Sequence, residues 1–218
     1  MRTKLCMAIV IACLAVASEA AAQLCTIERI ESVSAGQGAS ADFSSVDTST
    51  CALGIETTVH VDASQGLVTV EDACGRHGVN GTTVTTTETN AVAIFVSVYD
   101  RCLATRLLSV TGVGEAEEFH VSNNFKTASV RAAFEGVDDF NQSVSIAIDL
   151  VWTGVGQKEH TGDHVSDNRG TFRYTSHGTI RDAVAAGSVV IDGTDRAPLP
   201  SPQGTIERDA SRALEAYR

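Results

Sequence analysis

The chain has 218 residues, 43% of them hydrophobic, with 16 basic and 27 acidic side chains and a formal charge of −11. An acidic surface of this kind repels nucleic acid and anionic lipid, so neither is expected as a partner. Aromatic residues make up only 5% of the chain, and Tyr99, Tyr174 and Tyr217 beside the single Trp152 are too few to predict a stacking platform for sugars.

The amino terminus reads as an export signal over residues 1–22. Arg2 and Lys4 are followed by an apolar run from Leu5 to Ala17, and Ala20-Ala21-Ala22 supplies the small residues that a signal peptidase needs. The run is too short to span a bilayer, so no transmembrane segment is expected after the signal is removed. Val10-Ile11-Ala12-Cys13 has the form of a bacterial lipobox, which would anchor the chain by a lipid on Cys13. The apolar run continues through Leu14, Ala15 and Val16, where a lipoprotein turns polar, and the main expectation is therefore a soluble secreted or periplasmic protein. Loss of Arg2, Lys4 and Glu19 from the 16 basic and 27 acidic residues leaves 14 and 26, a formal charge of −12.

Four cysteines follow the signal: Cys25, Cys51, Cys74 and Cys102. In an exported protein they are read as two disulfides. The nearly equal spacings, 26 and 28 positions, favour Cys25 with Cys51 and Cys74 with Cys102. No close Cys-x-x-Cys pair is present to support a zinc site instead.

The body, residues 23–196, reads as β structure. In GIETTVHVD, Ile55, Thr57, Val59 and Val61 alternate with polar positions; in KTASVRAAFE, Ala128, Val130, Ala132 and Phe134 do the same. NAVAIFVSVYD is apolar on both faces, as expected of a strand inside a sandwich. Gly36-Gln37-Gly38, Asn80-Gly81, Gly112-Val113-Gly114, Asp138-Asp139 and Asp192-Gly193 are read as turns. Short strands, frequent turns and abundant Thr and Val predict an all-β protein, an antiparallel β-sandwich of immunoglobulin-like or jelly-roll-like kind.

QSVSIAIDLVW alternates with Val144, Ile146, Ile148, Leu150 and Trp152 on one face, which makes Trp152 the last member of a buried row. Gly154-Val155-Gly156 then predicts a turn that leaves the sheet for a polar loop. That loop holds His160, Asp163 and His164, and His177 follows in RYTSHG. His160 and His164 with His177, Asp163 and Asp167 are the candidate ligands for a divalent metal, but the flanking glycines argue against a zinc-binding helix and a solvated polar loop is the competing expectation. His60 and His120 fall on outward strand positions.

Residues 197–218 change character. Pro198, Pro200 and Pro202 predict an exposed connector, and Ile206, Ala210, Leu214 and Tyr217 fall at helical spacing, predicting a short C-terminal helix. There is neither a Gly-x-Ser-x-Gly nor a Ser-x-x-Lys motif for nucleophilic catalysis. The expectation is therefore a secreted or periplasmic, disulfide-stabilised module that binds a partner or serves the cell envelope without catalysis or cofactor. The alternative is a metal-dependent or other extracellular hydrolase using His160, His164 and His177.

Overall fold

A computed structural model of the chain describes residues 27–76, 79–167, 169, 171–197 and 201–217. The expected signal, the lipid site at Cys13, Cys25, Pro198 and Pro200 lie outside them. Among the described residues the fold is all-β: β1 (Ile27–Asp47), β2 (Ile55–Arg76), β3 (Val79–Asp100), β4 (Thr105–Glu115), β5 (Glu118–Val121), β6 (Thr127–Asp138), β7 (Ser143–Ser166), β8 (Phe172–Ile191), β9 (Thr194–Asp195) and β10 (Ser201–Tyr217). All pairings are antiparallel, in the order β10-β1-β2-β3-β4-β6-β7-β8-β9, with β5 against β6. β10 also pairs with β8, so the sheet folds over until its ends meet.

The core is consistent with the expected sandwich, because strands that are not neighbours in the sheet face one another across it. Val59 and Val61 of β2, Val92, Ile94 and Val96 of β3, Val130 of β6, and Ile146, Ile148, Leu150 and Trp152 of β7 are all buried in one cluster. These are the apolar rows that the two-residue period identifies, and in β7 buried and exposed positions alternate without a break from Ser143 to Thr153. The interior is apolar, while outward positions mix charges and hydroxyls with exposed apolar side chains such as Val113, Val137 and Val151. Among the described residues no helix is long and apolar enough to cross a membrane.

Several local expectations are corrected. Residues 201–217 form β10, which closes the sheet, rather than a C-terminal helix. A spacing of four residues satisfies a two-residue period as well as a helical one, and Ile206, Ala210 and Leu214 share the inner face of a strand. Gly154-Val155-Gly156 does not end a strand. It is a bulge in β7, where the register with β8 shifts between Gly154 and Lys158, Gly156 adopts φ 68°, and pairing then resumes to Ser166. Gly36, Gly38, Gly112 and Gly114 are likewise strand positions rather than turns. The outer face of β3 is open to solvent, with Phe95 41% exposed.

The disulfide pairing also differs from the spacing argument. Cys51 is bonded to Cys102, with Cα atoms 6.5 Å apart, and not to Cys25. Cys74 is disulfide-bonded as well, and its partner is not Cys102. Strands of 21 and 22 residues explain this. The β1–β2 and β3–β4 connections return to the same end of the sheet, so cysteines two connections apart meet there.

Candidate functional site

Six strands run well past the core, and in register they build a platform above it. β4 pairs with β3 only from Ala91 to Asp100, and β6 pairs with β7 only as far as Thr153. Beyond those points β3, β2, β1, β10, β8 and β7 continue as an open sheet. The boundary is a row of polar side chains on the inner face: Asn90, Gln65, Gln37, Arg208, Thr179 and His160 lie opposite one another across the six strands. Gln37 Nε2 donates to Gln65 Oε1 at 2.8 Å and Asn90 Nδ2 to the Ala116 carbonyl at 2.7 Å. These amides are half-buried to exposed, and the row marks where the apolar interior stops.

Phe125 closes the top of that interior. Its ring, 5% exposed, comes from the β5–β6 connection and lies with Lys158 Nζ 5.1 Å and Arg208 Cζ 5.4 Å from its centroid. The Arg208 guanidinium also donates to the Val121 carbonyl and that of Arg181 to the Phe125 carbonyl, both at 3.4 Å.

Above this lid the two faces of β7, β8 and β10 carry opposite charge. Residues paired across an antiparallel sheet share a face. The register therefore places Lys158, Arg173, Arg181, Arg208 and Arg212 on the inner face together with His160, His164 and His177, and no carboxylate from these three strand segments joins them. Glu159, Asp163, Asp182, Glu207, Asp209 and Glu215 occupy the outer face, and no basic residue joins those. The crowding shows in Glu207. Loss of solvent around its carboxyl, then the neighbouring Asp209 and Asp62, raise its pKa above the ordinary glutamate value. Within the inner face Arg212 pairs with Glu31 of β1 at 2.6 Å, and Arg29 pairs with the same glutamate at 2.7 Å.

The candidate metal ligands are separated by this geometry. His160 and His164 share the inner face of β7, and His177 stands opposite Gly162 between them, its Nδ1 3.4 Å from where a Cβ on that glycine would lie. His160 Nδ1 is 2.9 Å from Thr179 Oγ1. Asp163 projects from the other face, so it does not join the histidines. Asp167 is held at the β7–β8 turn, where its carboxylate accepts from the backbone N–H groups of Thr171 and Phe172 and from the Thr171 hydroxyl. Among the described residues the one set of three His, Cys, Asp or Glu ligand atoms within 4.8 Å of one another is Cys51, Asp100 and Cys102, whose sulfurs are joined to each other.

The cationic row escaped sequence reasoning, although its signal is present. Lys158-Glu159, Arg181-Asp182 and Glu207-Arg208-Asp209 set opposite charges side by side, and a strand sends neighbours to opposite faces. A helical reading of the tail and a loop reading of residues 157–166 hid the segregation.

Fold and site together define an all-β antiparallel domain, joined by a disulfide and carrying an open sheet whose faces differ in charge. The chain matches no family model, no curated protein and no solved structure.

Proposed function

We propose that the protein is an exported, non-catalytic binding module that holds an anionic partner against the inner face of β7, β8 and β10. One observation carries the reading: five cations and three histidines gather on one face of a chain whose net charge is −11. A cationic field within an acidic molecule selects for partners of complementary charge and repels others. Export is supported by the disulfide, since such bonds persist in oxidising compartments, and by the leader-like amino terminus.

The test is calorimetric titration with dextran sulfate against neutral dextran. Dextran sulfate is expected to bind the wild-type chain, with affinity falling as salt is raised. An Arg173→Ser, Arg212→Ser variant is expected to bind about tenfold more weakly, the effect of removing two contacts of about 0.7 kcal/mol each. Absence of binding, or equal binding by the variant, overturns the reading.

A metal-dependent hydrolase is the second reading, favoured by the placement of His177 over Gly162 between His160 and His164 on one face. It requires the imidazoles to turn toward a common point. Stoichiometric zinc in the purified chain, lost in a His160→Ala, His164→Ala variant, would establish it over the module.

A further inference from the structure

The platform has two free edges, and they are not equivalent. The chain leaves β3 at Ala116, whose N–H donates to the Asn90 carbonyl at 3.3 Å, and turns away into β5. From Gly81 to Thr89, no strand among the described residues pairs with the side of β3 that faces away from β2. Every residue in that stretch is exposed. An unpaired row of backbone N–H and C=O groups is a template for another strand, and natural edges are usually blunted by lysine, proline, a bulge or shortness.

The β7 edge carries such protection: the bulge at Gly154–Lys158, Lys158 itself, and the charges of Glu159 and Asp163. β3 carries none. Its free stretch contains Thr82-Thr83-Val84-Thr85-Thr86-Thr87-Glu88-Thr89, with one charge, no lysine and no proline. Six of these eight residues are threonine and a seventh is valine, the β-branched residues that favour extended pairing.

We infer that the β3 edge is a self-association site at which two copies of the chain pair antiparallel through Thr82–Thr89. A second copy is the occupant because the sequence complements itself. A two-fold register centred on Thr85 sets Val84 against Thr86, Thr83 against Thr87 and Thr82 against Glu88. β-Branched pairs then stack on both faces and no two carboxylates meet. A two-fold contact uses one edge from each copy and so closes at a dimer. The two platforms become one continuous sheet, with the cationic faces on the same side.

Sedimentation velocity on the mature chain across a concentration series tests this, together with a Thr85→Lys, Thr87→Lys variant. Both positions are exposed on the outer face, so the variant is expected to keep its circular dichroism spectrum while placing lysine against lysine at the two-fold axis. The wild type is expected to dimerise and the variant to sediment as a monomer. In the wild type, amide exchange within Thr82–Thr89 is expected to slow with increasing concentration. A wild type that stays monomeric up to its solubility limit overturns the inference, as does a dimer that persists in the variant, an open-ended polymer, or exchange independent of concentration.

Discussion

The indole Nε1 of Trp152 donates a 2.7 Å hydrogen bond to the backbone carbonyl of Ser40, a residue 112 positions earlier in the chain. β7 and β1 are separated by β8 and β10 in the sheet, so the bond spans the core rather than a ladder. The ring is 0% exposed, and Gly204 of β10 lies against the accepting group: a Cβ there would fall 2.7 Å from the Ser40 oxygen, while its 3.5 Å distance to Trp152 Cδ1 would be an ordinary contact.

Trp152 therefore ties two layers with both its area and its donor. Trp152→Ala is expected to cost about 3–5 kcal/mol, the range for removing a buried aromatic. Trp152→Phe keeps most of the area but loses the donor to Ser40 and leaves part of the indole volume empty. Its cost is expected at about 1–3 kcal/mol. Urea unfolding followed by far-ultraviolet circular dichroism checks both, and a Trp152→Ala midpoint equal to wild type would contradict the cross-core role.

The Cys51–Cys102 bond joins the β1–β2 connection to the β3–β4 connection and closes a loop with a sequence separation of 51. In the chain-entropy account a loop of that length is worth about 4 kcal/mol through restriction of the unfolded chain. A Cys51→Ser, Cys102→Ser variant is expected to unfold at a lower denaturant concentration by about that free energy while keeping its strand content. Peptide mapping without reduction checks the pairing directly. A Cys25–Cys51 peptide in the map would contradict it.

The rows that fill the core were legible because each inward position is apolar and most of the positions between them are polar or small. Val59 and Val61, Ala128 to Phe134, and Val144 to Trp152 announce their face at every second residue. The platform was not legible, for a physical reason. Both faces of Thr82–Thr89 and of Lys158–Ser166 meet water, so burial imposes no alternation there and the glycines and histidines read as a loop. Gly36 and Gly38 looked like a turn, yet carboxylates from the neighbouring strand cover them: a Cβ would meet Asp209 Oδ1 or Glu207 Oε1 at 2.9 Å. Sequence proximity grouped the candidate histidines; the strand register sets His160, His164 and His177 on one face of β7 and β8 and puts Asp163 on the other.

Phe134 and Gly114 show the same device inside the core. A Cβ on Gly114 would fall 2.2 Å from Phe134 Cγ and one on Gly112 would fall 2.9 Å from Phe134 Cε2, so the two glycines of β4 make space for the ring. Gly114→Ala is expected to displace Phe134 and destabilise by about 1–3 kcal/mol, the usual cost of overpacking. Gly81→Ala is the control, since nothing lies within 4 Å of its Cβ position, and a change within about 0.5 kcal/mol is expected there. Equal thermal midpoints for the two variants would show that the ring moves without cost.

His60 links stability to pH on the outer face. Its Nδ1 is 2.6 Å from Asp42 Oδ1 and its Nε2 is 2.8 Å from Asp62 Oδ2. A neutral imidazole has one N–H and can donate to only one of these carboxylates, so the imidazolium fits both. The hydrogen bond to Asp62 raises the pKa most; partial burial opposes it, Asp42 adds to it, and the result is about 9 against an ordinary 6.5. Since the folded value lies above the unfolded one, the stabilisation is fully present below about pH 6.5 and is lost as pH rises through about 9. The side chain is 44% exposed, so water and salt screen the pairs and the effect is expected at about 1 kcal/mol or less. Unfolding free energies at pH 6 and above pH 9 are expected to differ by that amount more in wild type than in His60→Gln. A midpoint near 6.5 in a proton NMR titration of the imidazole would remove the basis for this link.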